Sequence, residues 1–377
     1  MFDGNPSNRN SPNGNSPNAS VEQFPTRNRI NPRPAPIGTA IVGYGYWGPN
    51  LARNIAERPE MELQGLCDRD IVQRQAFGVR HPQARAVEEL DAILCDPAVQ
   101  AVVVATPPKT HHAIVKRALE AGKHVLVEKP LATRLSDAQE LADIAESSGL
   151  VLMPGHTFIY SPAVNAVRDL IQSGVVGDIH FVTSSRMNLG KYQSDGVVCD
   201  LAPHDLSILL YWLGEPVVEV SASGSSVFQE GIPETAFLTL TFAGGATANV
   251  QLSWLAPRKV RQMILVGSKR MVQYDDTAAD EPVRVYDRGL DVGPPANFGE
   301  HQLICRTGDV VIPRVQPQEP LSLELQDFAN AIRTGEEPRS SLALGVEIVA
   351  AIELATASLE RNGTPLSLAP ALERAAA

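Results

Sequence analysis

The sequence is poor in cysteine, in unbroken apolar runs and in positive charge. Its 377 residues include four cysteines without C-x-x-C spacing, which argues against a disulfide framework or a cysteine zinc site and is typical of a reducing cytoplasm. No apolar run reaches the eighteen or so residues that span a bilayer, so we expect no membrane insertion. The formal net charge of -11 repels phosphate backbones, which argues against a nucleic-acid partner.

The residues that are present indicate a globular chain behind a polar N-terminal segment. Hydrophobic residues make up 44% of the sequence, and the chain is longer than a usual single domain, so we expect two domains. Residues 1–36 are rich in Asn, Pro, Ser and Gly and have no apolar periodicity. Because they also lack the apolar region of a secretory signal, we expect a disordered tail and no export.

Short apolar strands alternate with helical segments across residues 37–155. The run AVVVATPP has no polar alternation, as expected of a strand buried on both faces. One helix is indicated by THHAIVKRALEAGK, with Thr110 as N-cap and Gly122 as stop, and another by SDAQELADIAESSG, with a capping-box spacing from Ser136 to Gln139. The alternation predicts a Rossmann domain, a doubly wound parallel sheet with its ligand crevice at the carboxyl ends of the strands.

Residues 156–377 follow a different pattern. After one helix, SPAVNAVRDLIQSG, come segments that alternate polar and apolar residues, such as TAFLTLTFAGGATANVQLSWL, and two helices close the chain. This pattern predicts a substrate-binding and oligomerisation domain of α+β type, with a large, mainly antiparallel, open-faced sheet of five or six strands. An uncovered sheet face leaves apolar area exposed, so we expect a homodimer or homotetramer through it.

The segment VGYGYWG has the spacing of a dinucleotide-binding loop. Gly43, Gly45 and Gly48 follow a strand and precede a helix, where they allow a tight turn, close approach of a pyrophosphate and close helix packing. Asp68 lies twenty residues beyond Gly48, where a carboxylate can bind an adenosine ribose, which favours NAD over NADP. A surface loop acid is the alternative, and the neighbouring Arg69 blurs the preference.

Two further segments carry candidate catalytic groups. Lys129 follows the strand HVLV, at the carboxyl end where nicotinamide is expected, and Pro130 biases its backbone toward extended geometry. Its ammonium group can stabilise charge on a substrate oxygen. Asp200 and His204 are four residues apart and share one helical face, so His204 can take a hydroxyl proton while Asp200 orients it. Alone, that pair also fits a helix capped by Asp200 with His204 in the core.

Together these segments resemble the Gfo/Idh/MocA family of NAD(P)-dependent oxidoreductases, which includes glucose-fructose oxidoreductase and inositol dehydrogenase. The resemblance covers residues 37–370 and rests on GYGYWG, on ATPPKTHHAIVKRALEAGKHVLVEKPLA and on the D-x-x-x-H of CDLAPHD. It implies that Lys129, Asp200 and His204 form the catalytic group. The residues expected to border NAD are Gly43, Gly45, Tyr46, Trp47, Gly48, Asp68, Arg69, Thr106, Pro107, His111, Glu128 and Lys129.

The segments GHTFIYSPAV and RMNLGKYQSDGVVCDLAPHD resemble the branch of sugar 3-dehydrogenases and 3-ketoreductases. That resemblance implies hydride transfer between NAD and a sugar hydroxyl, at carbon 3 of a UDP-linked N-acetylhexosamine or its uronic acid. Ala202-Pro203 departs from the glycine-containing turn of many family members. The candidate substrate contacts are His156, Tyr160, Arg186, Asn188 and Lys191. Sheet-edge polarity, or a structural hydrogen bond in the case of His156, accounts for them equally well.

Three other functions fit the same scaffold. They are a free-polyol dehydrogenase of the inositol type, an NAD-dependent glycosidase, and an NAD-binding regulator without catalysis. The intact lysine, aspartate and histidine set argues against the regulator. We expect no metal, because His111 and His112 have no acidic or thiol partner at ligand spacing.

Overall fold

A computed structural model describes residues 34–190, 195–292 and 303–368. Most of the predicted tail, residues 1–33, and the candidate substrate residue Lys191 lie outside these ranges. The positions of all the other candidate residues can be compared with the sequence predictions.

The first sheet is a six-stranded parallel sheet in the order β3-β2-β1-β4-β5-β6. Its strands are β1 (Ile37–Val42), β2 (Met61–Cys67), β3 (Arg85–Val87), β4 (Ala101–Val104), β5 (His124–Glu128) and β6 (Leu152–Gly155). The helices between them are α1 (Gly48–Glu57), α2 (Ile71–Arg80), α3 (Asp91–Leu94), α4 (His111–Glu120) and α5 (Leu135–Ser148). From β1 the chain adds strands toward one edge of the sheet as far as β3, and from β4 it adds them toward the other edge. The crevice of a Rossmann fold forms at this switch between β1 and β4. The predicted Rossmann architecture is confirmed.

The sequence prediction missed β3 and misplaced the start of α5. The three residues of β3 have no buried side chain, so they lack the apolar signal that marks the other strands. Helix α5 begins at Leu135, and its first N–H donates to the Glu353 carboxylate at 2.8 Å. The capping box from Ser136 was therefore wrong, because a distant carboxylate supplies the acceptor. Thr110 does stand at the N-cap of α4, but its hydroxyl bonds Thr106 and the Pro107 carbonyl instead of a helix N–H.

The second sheet is mainly antiparallel and has nine strands among the described residues, in the order β14-β13-β12-β11-β7-β10-β9-β8-β15. Its strands are β7 (Ile179–Leu189), β8 (Val217–Ser225), β9 (Thr235–Phe242), β10 (Thr247–Ser253), β11 (Leu255–Gly267), β12 (Met271–Asp275), β13 (Val283–Val292), β14 (Leu303–Val311) and β15 (Leu366–Ser367). Strands β7 and β10 pair in parallel. The predicted mainly antiparallel sheet is confirmed, but five or six strands was too few. The missed strands β13, β14 and β15 lie toward the two ends of the sheet.

Four helices follow the Rossmann domain in the chain: α6 (Pro162–Gln172), α7 (Gly196–Leu213), α8 (Pro320–Thr334), which packs against α1, and α9 (Leu342–Glu360). Helices α7 and α9 pack against each other and against the inner face of the sheet. The opposite face exposes Phe181, Phe237 and Ile264 by two-fifths to one-half of their surface. The predicted open face therefore carries apolar side chains, while the expected oligomer stays a prediction.

Helix α9 is long and apolar enough, by length and composition, to cross a membrane. Half of its apolar window is buried inside the protein, where it contacts α5, α7 and β8. Core helices of globular proteins pass the same test, so this helix is weak support for a membrane span.

Candidate active site

The loop between β1 and α1 has the shape that a dinucleotide requires. Gly43 has a φ of +97°, and a Cβ there would lie 2.6 Å from the Ala105 carbonyl oxygen. A Cβ on Gly48 would lie 2.8 Å from the Gly43 carbonyl oxygen, so helix and turn pack closely. A Cβ on Gly45 would meet nothing within 4 Å. The backbone at Gly45 is thus open to a phosphate in front of the N-terminus of α1, which has no side-chain cap.

Asp68 lies directly after β2, beside this loop. Its carboxylate accepts the Tyr44 backbone N–H at 2.7 Å and the Asp70 backbone N–H at 2.8 Å. These bonds fix the carboxylate and leave lone pairs for ribose hydroxyls, because a carboxylate accepts about four hydrogen bonds. Arg69 is exposed beside it. The arrangement fits an adenosine ribose at this end of the crevice.

The other candidate cofactor residues lie around the same crevice. Tyr46 and Trp47 are exposed at the tip of the glycine loop, with ring centroids 5.9 Å apart. His111 is fully buried, and its two ring nitrogens lie 2.8 Å from the carbonyl oxygens of Thr106 and Pro130. His111 therefore ties the loop after β4, which contains Pro107, to the turn that follows Lys129. These contacts fix the positions of the two loops relative to each other.

Lys129 and Asp200 are in contact. The Lys129 ammonium donates to the Asp200 carbonyl oxygen at 2.7 Å and lies 3.4 Å from Oδ1 of its carboxylate. The indole N–H of Trp254 donates to Oδ2 of the same carboxylate at 3.1 Å. Lys129 is mostly buried at the end of β5, and its peptide bond to Pro130 is cis. The structure thus brings together an ammonium group from the parallel sheet and a carboxylate from α7.

His204 lies one helical turn beyond Asp200 on α7. Burial lowers the pKa of its imidazole well below the usual value, and the positive charges of Lys129, Arg186 and Arg261 lower the pKa further. The ring packs edge-on against Phe158, with centroids 4.9 Å apart. His204 is therefore a neutral imidazole at physiological pH, the form that can accept a proton. Asp200 does not cap α7, because the helix begins at Gly196 with Asp195 as N-cap.

The candidate substrate residues have different positions. Arg186 is 4% exposed and forms a two-point ion pair with Asp205, at 2.9 and 3.0 Å. Tyr160 is buried and donates to Asp327, which together with burial raises the pKa of its hydroxyl. His156 is also buried, and both its ring nitrogens lack a partner among the described residues. Asn188 is partly exposed near Gly190.

Several residues around the catalytic group were missed by sequence reasoning. They are Trp254, Phe158, Arg261, Asp205 and Glu324. Phe158 lies between cations, with the Arg186 and Arg261 guanidinium carbons 4.5 and 5.3 Å from its ring centroid. Asp205 follows His204 directly, so its position beside the predicted site could be read from the sequence. Its ion pair with Arg186 on β7 depends on the tertiary fold.

Two protein-family models match this chain. Residues 37–156 match the model of the oxidoreductase family with an NAD-binding Rossmann fold, and residues 164–273 match the Gfo/Idh/MocA C-terminal domain.

The chain belongs to the Gfo/Idh/MocA oxidoreductase family.

Relatives of this oxidoreductase act on sugar and polyol hydroxyls. It is 29% identical to the UDP-N-acetylglucosamine 3-dehydrogenase of Acidithiobacillus ferrooxidans, over 84% of this chain and 97% of that protein. A crystal structure of that dehydrogenase superposes with a TM-score of 0.72 at 26% identity, over 86% of this chain and 98% of the other. The scyllo-inositol 2-dehydrogenase of Bacillus subtilis is 25% identical over 88% of this chain and 96% of its own length.

A third relative bears on the cofactor. GenD2 from gentamicin A biosynthesis, solved in complex with NAD, superposes with a TM-score of 0.74 at 25% identity, over 88% of this chain and 96% of the other. Together with the NAD-binding family match and the open glycine loop, it identifies NAD as the cofactor of this oxidoreductase. Among the described residues, no group of three or more His, Cys, Asp or Glu side chains is arranged to hold a metal.

Proposed function

We propose that this oxidoreductase transfers hydride between NAD and carbon 3 of a UDP-linked N-acetylhexosamine or its uronic acid. The observation that carries the proposal is the contact between Lys129 and Asp200, with His204 one turn further along the same helix. Lys129 follows β5 of the parallel sheet, whereas Asp200 and His204 lie on α7, and the contact forms at the carboxyl end of β5. A hydroxyl-bearing carbon placed there lies between a proton acceptor and a cation.

The roles of the three residues follow from their charges. Neutral His204 accepts the proton of the sugar hydroxyl, while the Lys129 ammonium donates a hydrogen bond to the same oxygen. Asp200 compensates the charge of Lys129 and holds it in place, and Trp254 in turn holds the Asp200 carboxylate. When bound, NAD supplies the hydride acceptor. In the reverse reduction, the imidazolium of His204 returns the proton.

The positive surroundings of His204 support an anionic substrate. Lys129, Arg186 and Arg261 all act on the pKa of His204. Of the two guanidinium groups, Arg261 is the accessible one, because its side chain is 29% exposed. It forms an ion pair with Asp276 at 2.8 Å. A nucleotide diphosphate or a uronate carboxylate is matched to such a cation. The similarity to the UDP-N-acetylglucosamine 3-dehydrogenase favours the same class of substrate.

The test compares turnover with cofactor affinity in two variants. Lys129→Ala and His204→Ala should each lower kcat by about 10²- to 10⁴-fold, the usual effect of removing an acid-base group, and should change the Kd for NAD much less. Lys116→Ala and His180→Ala, on the exposed surface, are matched controls that should retain wild-type turnover. Wild-type kcat in either catalytic variant would remove that residue from the mechanism.

The similarity to scyllo-inositol 2-dehydrogenase supports a second candidate substrate class, free polyols. A polyol carries no phosphate or carboxylate, so Arg261 separates the two possibilities. Arg261→Met should raise KM for a nucleotide sugar and leave KM for a polyol unchanged.

We also propose that the open face of the nine-stranded sheet, with Phe181, Phe237 and Ile264, pairs with a second copy of the chain. Light scattering of the Phe237→Lys variant tests this pairing.

A further inference from the structure

Buried acids lie directly behind the catalytic lysine. Glu128 precedes Lys129 at the end of β5, and Glu324 lies on the inner face of α8. They are 8% and 1% exposed, and the proposed reaction uses neither. We refer to Glu128 and Glu324 as the buried acid pair.

The two acids converge on the end of β6. Glu128 pairs in register with Gly155, and a Cβ on Gly155 would lie 3.7 Å from the Glu128 carboxyl carbon. Two residues further along, the Thr157 hydroxyl donates to Glu324 Oε2 at 2.9 Å. Both carboxyl groups are thus held at the carboxyl end of the parallel sheet, against the two residues that flank His156 in the sequence.

Burial makes ionisation of both acids unfavourable. It raises the pKa of Glu128 to about 7, even though the Lys129 charge acts in the opposite direction. It raises the pKa of Glu324 well above its usual value, and the charge of Glu128 raises it further. Two carboxyl groups that share a site of low dielectric titrate together, with one proton retained to higher pH.

The other titratable groups around the pair do not neutralise it. Burial and the Lys129 charge lower the pKa of His156 to about 3, so its ring is uncharged at neutral pH. Asp327 and Tyr160 are hydrogen-bonded to each other at 2.8 Å, and Asp327 adds negative charge near Glu324. Lys129 is the cation that faces the pair, and Asp200 shares its charge. Glu324 Oε1 has no partner among the described residues, so it can take a proton without losing a hydrogen bond.

The nicotinamide ring changes charge at this place in the fold. It carries one positive charge when oxidised and none when reduced, and the crevice at the ends of β4 and β5 is where it binds in a Rossmann domain. A cation close to the pair favours the carboxylate form, and its loss favours the protonated form. We propose that the buried acid pair releases one proton when oxidised NAD binds and takes one up when the cofactor is reduced.

The exchange keeps the interior at constant charge. In the forward reaction the C–H and O–H bonds of the alcohol break, a carbonyl forms, and a hydride with its two electrons goes to the cofactor. The cofactor loses one positive charge, and the acid pair gains one by binding a proton. His204 receives the hydroxyl proton and releases it to solvent, and the acid pair binds one proton from solvent, so one proton is released and one is taken up for any alcohol substrate.

The test measures protons directly and contains no sugar. Isothermal titration of the protein with NAD or NADH near pH 7, in buffers with different ionisation enthalpies, gives the number of protons released. We expect a fraction of a proton, up to one, to be released with NAD and close to none with NADH. The Kd for NAD should decrease as pH rises, by up to about tenfold per pH unit where one proton is linked to binding.

Two variants locate the source of the proton. Glu128→Gln and Glu324→Gln should each abolish the difference between NAD and NADH, whereas Glu140→Gln, on the exposed face of α5, should keep it. Equal proton release with both cofactors in the wild type, or a difference that persists in both glutamine variants, would overturn the proposal. If a glutamine variant fails to fold, the wild-type comparison still decides. Failure here leaves the proposed sugar substrate standing, because that depends on turnover.

Discussion

The ion pair of Arg186 and Asp205 is the most deeply buried pair of charges among the described residues, and its removal has a defined effect. Its side chains are 5% and 3% exposed, and two of the guanidinium nitrogens bond the two carboxylate oxygens. The third, NH1, has no partner among the described residues. Asp205→Ala therefore leaves a guanidinium in a site with little water and no counter-ion.

The expected cost follows from this burial. Breaking a buried pair by removing one partner costs about 3–5 kcal/mol, whereas replacing both partners with apolar residues of similar size is often neutral. Asp205→Ala should thus lower the free energy of unfolding by about 3–5 kcal/mol. The double variant Arg186→Met with Asp205→Leu should recover most of that loss. The exposed pair Arg284 and Glu281 is the control, and Arg284→Met should leave stability nearly unchanged.

Urea unfolding followed by tryptophan fluorescence measures these free energies. A double variant whose loss equals the sum of the losses in Arg186→Met alone and Asp205→Leu alone would refute the reasoning, because it would show that the charges do not compensate each other. The same variants report on His204. Removing the Arg186 charge should raise the pKa of the imidazole, so the acid limb of the kcat profile should move to higher pH in the double variant.

Three further predictions concern the cofactor loop and pH. Asp68→Ala should reduce the preference for NAD over NADP, measured as a ratio of Kd values, because the carboxylate that repels a 2'-phosphate is gone; an unchanged ratio would contradict this role. Gly45→Ala should weaken NAD binding without lowering the Tm, since its Cβ meets no protein atom within 4 Å, whereas Gly43→Ala should lower the Tm because of its φ of +97° and the nearby Ala105 carbonyl. The free energy of unfolding should fall by up to about 1.4 kcal/mol per pH unit between pH 6.5 and about 3, because unfolded His156 binds a proton that the folded protein excludes. His156→Phe should flatten that dependence, and an unaltered slope would contradict it.

Local patterns were sufficient to predict the parallel sheet and its ligand loop. The glycine spacing at Gly43, Gly45 and Gly48 specifies a backbone shape with few alternatives, and continuous apolar runs mark strands buried on both faces. The prediction was incomplete where an element depends on contacts between residues that are far apart in the sequence. The start of α5 depends on Glu353, more than two hundred residues away, and the edge strands β14 and β15 carry little apolar alternation.

In the candidate site, too, local motifs were predicted from the sequence and tertiary contacts were not. Lys129, Asp200 and His204 were predicted as one group from their motifs, and the structure brings Lys129 and Asp200 into contact. Arg186 was a candidate substrate contact, with sheet-edge polarity as the alternative, but two of its nitrogens are engaged by Asp205, a pairing between β7 and α7 that only the tertiary fold reveals. Glu324 lay in a helix with ordinary apolar periodicity, so nothing in the sequence indicated a buried carboxyl group.

We propose that the Lys129, Asp200 and His204 group oxidises a nucleotide-linked sugar, and this can be measured as hydride transfer to NAD. The most direct test mixes the purified protein and NAD with a panel of UDP-sugars, their uronic acids and free polyols, and follows NADH absorbance. We expect NADH formation with a UDP-linked N-acetylhexosamine or its uronic acid, and its loss in His204→Ala. NADH formation with polyols alone, or NAD binding without NADH formation from any member of the panel, would contradict it.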